Sequence, residues 1–245
     1  MVSLKNNTLE NHCLKFFENF SNRKIILAYS GGVDSSVLLH CLIKIKDELN
    51  LTLRTVHINH HLNNASNQYQ KHCENIANIL EIQHISLDVY LNDMSNIEEK
   101  CRDLRYEKLF ENCKKDEVIV LGHHLDDQIE TFLLRMFRGA SIKGMSVMKD
   151  TLIINDKTLL RPFLDIKKQD IITYAKTNSI SFIDDITNQN DKYDRNFVRR
   201  NLLPLIKKRW ISIDKNILNN ISIFSIQNKF LNDQATILLE KYSKD

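Results

Sequence analysis

A chain of 245 residues, 42% hydrophobic and 27% charged, has the length for one large domain, or one domain with an appendage, and the composition of a soluble globular protein. Its formal net charge is only +3, so any contact with a polyanion has to come from local clustering and not from bulk charge. Met1 to Phe20 intersperses Lys, Asn, His and Glu among its apolar residues, unlike a secretory signal, and no run approaches membrane-spanning length.

The first predicted element is a buried strand over the Ile-rich run Lys24 to Tyr29. It ends at Ser30-Gly31-Gly32-Val33-Asp34-Ser35-Ser36, where two glycines predict a tight turn and Asp34 with the serines opens a helix. This arrangement suits a phosphate. Glycines let the backbone approach a ligand, and the free amides at the positive end of the following helix attract an anion. Ser30, Ser35 and Ser36 add hydroxyl donors, and Asp34 is placed to hold a magnesium ion that bridges phosphate oxygens. The chain contains no G-x-x-x-x-G-K-[ST] and no G-x-G-x-x-G, so neither a kinase-like P-loop nor a dinucleotide fold is supported. S-G-G-V-D-S resembles instead the pyrophosphate loop of the ATP-pyrophosphatase group, whose members activate a substrate with AMP and release pyrophosphate. The plain alternative is an ordinary Gly-Gly turn, and the flanking serines and aspartate weigh against it.

Val37, Leu38, Cys41, Leu42 and Ile45 keep helical spacing, which predicts a helix packed on a sheet. A second strand is expected at Leu51 to Asn59, a helix over Leu62 to Glu81, and a third strand at His84 to Tyr90. Ser95 and Glu98 have the spacing of a capping box before a helix through Ile97, Cys101, Leu104, Leu109 and Phe110. A fourth strand, Glu117 to Leu121, stops at Gly122. Strands alternating with helices predict an α/β fold, a doubly wound parallel sheet with helices on both faces, whose ligands sit at the carboxyl ends of the strands. Two further strand ends carry polar chemistry: His57-Ile58-Asn59-His60-His61-Leu62, and Gly122-His123-His124-Leu125-Asp126-Asp127-Gln128-Ile129-Glu130-Thr131. The histidines invite a zinc reading, but no third cluster has ligand spacing, so these groups are expected to surround ATP and position a second substrate. Asp127 and Glu130 share one helical face, which suits a cationic partner; acidic decoration of a helix start is the alternative. Cys13, Cys41, Cys73, Cys101 and Cys113 include no C-x-x-C pair, which points to free thiols and a reducing cytoplasm.

In the second half the helix from Asp126 runs to Phe137 and stops at Arg138-Gly139. Residues 151 to 161 read as a short hairpin or two extended pieces, followed by a helix from Asp165 to about Thr177. Asp184 to Asp191 is too rich in Asn and Asp for a core element. Between Arg195 and Ile213 there is no acidic residue, while Arg195, Arg199, Arg200, Lys207, Lys208 and Arg209 are basic; a solvated basic face is the plain alternative, and the lack of compensating acids in a chain with a phosphate loop points to a polyanionic partner. From Ser212 the chain is expected to be helical to its end.

Six stretches together resemble the tRNA(Ile)-lysidine synthetase family: S-G-G-V-D-S at 30–35, H-I-N-H-H-L at 57–62, C-R-D-L-R-Y at 101–106, G-H-H-L-D-D-Q-I-E-T-F-L-L-R at 122–135, L-R-P-F-L at 160–164 and D-I-T-N-Q-N-D-K-Y-D-R-N at 185–196. They extend from about residue 24 to 206 in the family's order, and the fourth and sixth together are much more specific than the loop. The resemblance implies a two-step ligation. ATP adenylates the C2 oxygen of the wobble cytidine, position 34, of an isoleucine tRNA with a CAU anticodon, and pyrophosphate leaves. The amine of free L-lysine then attacks C2, AMP departs, and lysidine remains. It implies a catalytic domain over residues 1–206 and a helical linker or truncated extension over 207–245. Many family members carry further carboxyl-terminal domains that grip the tRNA, and this chain stops soon after the linking helix.

By the same resemblance Asp34, His123, Asp127 and Arg105 are the catalytic candidates, with His124 or Asp127 as alternatives to His123 for the base. ATP falls to Ser30, Gly31, Gly32, Val33, Asp34, Ser35, Ser36 and His57, with magnesium on Asp34. Asp127, Glu130, Arg195 and Arg199 are the lysine-binding candidates, and Arg102, Arg105, Arg138, Arg199 and Arg200 the tRNA-binding ones. No membrane is implied, the expected compartment is the cytoplasm, and a homodimer stands as an alternative to a monomer. Two other readings are a pyrophosphate-loop tRNA thiolase, which uses paired cysteines, and a small-molecule adenylating synthetase, which needs an ammonia source.

Overall fold

The Ile-rich run folds as strand β1, Lys24–Ala28, and its alternation sets up both faces of a sheet: Ile25 and Leu27 enter one hydrophobic core and Ile26 another. The computed structural model describes residues 8–62, 65–91, 96–183 and 194–242, and the chain divides into two units. Met1–His124 with Asp150–Asp185 forms the first, and Leu125–Lys149 with Ile186–Asp245 the second.

The first unit is a six-stranded sheet in the order β3-β2-β1-β4-β6-β5, built from β2 (Thr52–Asn59), β3 (Gln83–Asp88), β4 (Glu117–Val120), β5 (Thr151–Ile154) and β6 (Lys157–Leu160) around β1. All neighbours are parallel except β5 and β6, whose hairpin turns through Asn155 and Asp156, both at positive φ. Helices α1 (Leu9–Phe17), α2 (Val33–Ile45), α3 (Ser66–Ile79) and α7 (Lys168–Thr177) feed the Ile25 and Leu27 core, and α4 (Ile97–Asn112) feeds the Ile26 core. This is the doubly wound α/β arrangement that the alternation predicts.

Three local readings change. Helix α1 carries little sequence signal, because polar residues hide the stripe of Leu9, Cys13 and Phe17 that it buries. Helix α3 is shorter than 62–81 and gives way at Glu81, which takes φ +53. Helix α7 starts at Lys168 and not Asp165, because the amides of Leu164 and Ile166 first turn onto the carbonyls of Arg161 and Phe163. The capping pair involving Ser95 and the polar stretch 184–191 lie outside the described residues.

A buried ion pair ties β2 to β4 across β1. Arg54 Nε and Nη2 donate to Glu117 Oε1 and Oε2 at 2.5 and 2.7 Å, and Nη2 also donates to the Asn112 carbonyl at 2.7 Å. The Arg54 guanidinium holds the Glu117 carboxyl below its usual range. Removing one partner strands the other charge, so Arg54→Ala should cost about 3–5 kcal/mol in a denaturant melt. The pair's contribution is complete above the ordinary glutamate pKa and is lost as pH falls through the lowered folded value.

The second unit is helical: α5 (Leu125–Phe137), α6 (Ile142–Met145), α8 (Asp194–Phe197), α9 (Leu203–Arg209) and α10 (Ile213–Tyr242). Leu125, Ile129, Phe132 and Leu133 of α5 pack with Met145, Val198, Leu203, Ile217 and Ile221. Gln128 clamps the chain after α6 through both of its amide atoms, Nε2 to the Met148 carbonyl at 2.9 Å and Oε1 from the Met148 amide at 3.1 Å. No helix among the described residues is long and apolar enough to cross a membrane.

Candidate active site

In the first unit the chain leaves β1 and turns at Gly31, whose φ of +78° suits glycine and whose missing Cβ would lie 3.0 Å from Cys73 Sγ. Gly32 caps α2, so Asp34 sits in that helix's first turn at the positive end of its dipole. The serines divide their work. Ser35 and Ser36 are buried; Ser35 Oγ accepts from the Ser30 amide at 3.2 Å and donates to the Gly32 carbonyl at 3.1 Å, while Ser36 Oγ donates to the Gly31 carbonyl at 3.4 Å. Those two hydroxyls brace the loop from within, and Ser30 stays exposed. From β4 the chain presses in at Gly122, where a Cβ would stand 3.3 Å from the Asp34 carbonyl carbon and the Ser35 amide nitrogen. The Ile183 amide closes the other side, donating to the Gly31 carbonyl at 2.9 Å.

Asp34 already carries a cation. Lys168 Nζ, on the first residue of α7, lies 2.6 Å from both Asp34 carboxylate oxygens, and His124 Nε2 lies 3.7 Å from Oδ1. A hard oxygen donor that holds an ammonium beside a helix N-terminus has the chemistry to hold a magnesium ion in the same place. Two histidines near the end of β2 are kept neutral. His57 donates from Nδ1 to the Tyr29 carbonyl at 3.0 Å, and burial lowers its pKa. Burial first, then the charge of Arg105, pushes His60 down to about 4, and neither of its ring nitrogens has a hydrogen-bond partner among the described residues. On α4, Arg105 and Arg102 are exposed, and Arg102 lies over the Tyr106 ring, 5.8 Å from its centroid.

In the second unit four predicted residues meet. Arg195 Nε donates to Glu130 Oε2 at 2.9 Å and Nη2 to Asp127 Oδ1 at 3.3 Å. Arg199 Nε donates to Glu130 Oε1 at 2.6 Å and Nη2 to Oε2 at 2.9 Å. Glu130 is 1% exposed, and its low solvent access makes these charge-assisted bonds strong. Asp127 and Glu130 come from one face of α5, and Arg199 lies in a π-helical turn, Val198–Leu202, that follows α8 directly. Wide turns of this kind are frequent at functional sites. Two carboxylates and two guanidiniums make a formally neutral set, complementary at once to an ammonium and to a carboxylate.

A family model described as the PP-loop domain matches residues 5–206. The chain belongs to the PP-loop domain family. Among curated proteins this PP-loop chain is 40% identical over 230 residues to the tRNA(Ile)-lysidine synthase of Buchnera aphidicola subsp. Baizongia pistaciae, covering 93% of the chain and 52% of that protein. It is 37% identical over 220 residues to that of Buchnera aphidicola subsp. Acyrthosiphon pisum, covering 89% and 50%. The chain therefore spans about half the length of these curated relatives. Among solved structures, the U34-tRNA thiolase NcsA from Methanococcus maripaludis matches with a TM-score of 0.68 and 16% identity, over 84% of this chain and 72% of that one, which is a likeness of fold.

Two features of this PP-loop chain were not legible beforehand. The Lys168–Asp34 contact spans 134 residues of chain, which local spacing does not reveal; the signal in the sequence is a pair of lysines, Lys167 and Lys168, at the positive end of a helix, where cations are unfavourable. The expectation that the basic stretch after Arg195 lacks compensating acids is corrected. Arg195 and Arg199 turn onto Asp127 and Glu130, and Lys207 pairs with Asp126 at 3.3 Å and Asp214 at 3.1 Å. The acids come from α5 and α10, which a local charge count does not see. Arg200, Lys208 and Arg209 of that stretch are exposed. Arg138 meets Asp194 at 2.9 Å with both side chains largely in solvent, a pairing that contributes little.

Proposed function

We propose that this chain joins free L-lysine to C2 of the wobble cytidine of a CAU-anticodon isoleucine tRNA at the expense of ATP, by way of an adenylated cytidine. The observation that carries this reading is the neutral quartet of Asp127, Glu130, Arg195 and Arg199, whose two signs of charge suit a zwitterionic amino acid with a second ammonium. The PP-loop family membership and the names of the curated relatives support it.

In the first step the C2 oxygen of cytidine attacks the α-phosphorus, the bond from that phosphorus to the bridging oxygen breaks, and pyrophosphate leaves. Loop amides at Gly31 and Gly32, the Ser30 hydroxyl and the positive end of α2 stabilise the charge that develops on it. A magnesium ion on Asp34 would neutralise phosphate charge there. Asp127 and Glu130 hold the ammonium of lysine, and Arg195 or Arg199 its carboxylate. In the second step a lysine amine, after giving a proton to a base for which His123, His124 and Asp127 are the candidates, forms the bond to C2. The bond from C2 to the adenylated oxygen then breaks and AMP departs. A cytidine in a loop is unstacked at a cost of only about a few kcal/mol, which suits an anticodon target. The exposed guanidiniums of Arg102, Arg105, Arg138 and Arg200 are the candidate phosphate contacts.

The test is incubation with ATP, magnesium, radiolabelled lysine and total tRNA. Label is expected to enter a single isoacceptor and to resist alkaline deacylation. Label in no tRNA, or removed by mild base as an ester, would overturn the reading.

A further inference from the structure

We propose that Lys168 is a mobile counter-charge for the phosphate loop: its ammonium neutralises Asp34 while the loop is empty, competes with a divalent cation for that carboxylate, and passes to phosphate oxygens when the cation displaces it. The proposal rests on the loop being a nucleotide-phosphate site. Three observations carry it.

The contact is bidentate and short, 2.6 Å to each Asp34 oxygen, so a divalent cation cannot take the carboxylate without moving the ammonium. Asp34 and Lys168 nevertheless keep 29% and 34% of their side-chain area in solvent, and ion pairs so exposed add little to stability. Little stability is therefore lost when the pair exchanges partners. Lys168 also sits where α7 gains nothing from it, at the positive helix end and immediately after the capping Lys167. A lysine stem is flexible enough to carry its compact charge from one acceptor to another nearby.

Electrostatics at the loop explain the need. The first turn of α2 offers amides to an anion and, in the same turn, a carboxylate that would repel it. Lys168 cancels the repulsion, and His124 Nε2 at 3.7 Å also faces the carboxylate. Gly122 packs against the Asp34 main chain, so the backbone is fixed and the side chains do the exchanging.

The competition makes two ligands respond in opposite directions, which a purely structural role does not. In the full chain, Lys168→Met should bind manganese alone more tightly, by about two- to five-fold in a paramagnetic titration, because an exposed pair is removed. The same variant should bind pyrophosphate in the presence of magnesium about ten-fold or more weakly by calorimetry, because a charge-assisted hydrogen bond is lost. Lys168→Arg keeps the charge and should restore both values toward wild type, and both variants should melt close to wild type. Manganese affinity that is unchanged or weaker in Lys168→Met overturns the exchange, and so does unchanged pyrophosphate affinity. Failure of the wild-type chain to bind pyrophosphate at all would instead sink the phosphate-loop reading on which the proposal stands.

Discussion

Replacing Asp34 with alanine should lower tRNA-dependent pyrophosphate release by about 10²- to 10³-fold, the usual scale for losing one group that stabilises a developing oxyanion, here the cation that Asp34 would hold. Asp34 lies in the first turn of α2 and receives Lys168 Nζ on both oxygens, so the substitution takes away the carboxylate that organises positive charge at the loop. The loop itself should survive, because its bracing bonds run through Ser30, Ser35 and Ser36 and through main-chain groups. Asp34→Asn keeps the size and loses the charge, and should fall as far as alanine. Release at the wild-type rate from either variant would take this carboxylate out of phosphate handling.

The second large effect concerns the quartet. Glu130→Gln leaves Arg195 and Arg199 without half of their counter-charge in a site that is 1% exposed at residue 130. The KM for lysine should rise about ten- to a hundred-fold, the scale of one charged hydrogen bond, while the KM for ATP stays within about two-fold. Because a buried pair is broken, the second unit should also lose about 3–5 kcal/mol, so the comparison needs a partner variant. Asp127→Asn serves, since the Asp127 contacts are longer, at 3.3 and 3.5 Å, and its loss perturbs the fold less. Equal losses for lysine and ATP in Asp127→Asn would argue against amino-acid recognition at this face.

The sheet was legible because its signals are local. An apolar run ending in two glycines points to β1, the turn and the start of α2, and the strand-helix alternation points to a parallel sheet, though not to its strand order. The shared face of Asp127 and Glu130 was legible from their spacing on α5, and the four-residue spacing of Arg195 and Arg199 put both on one side of the following helical turns. What brought the two pairs together was not, since they meet across 65 to 69 residues of chain. The same limit hid Lys168 on Asp34 and Arg54 on Glu117, whose partners are set by the fold. Residue type could not separate the exposed Ser30 from the buried Ser35 and Ser36, because the difference lies in which hydroxyls turn onto the loop's own carbonyls.

The proposed ligation turns on cleavage of a nucleoside triphosphate between its α- and β-phosphorus atoms at the loop after β1. Following α-labelled ATP by chromatography in a complete reaction with tRNA and lysine tests it most directly. Labelled AMP is expected in an amount equal to the lysine incorporated, and labelled ADP in its place would overturn that cleavage.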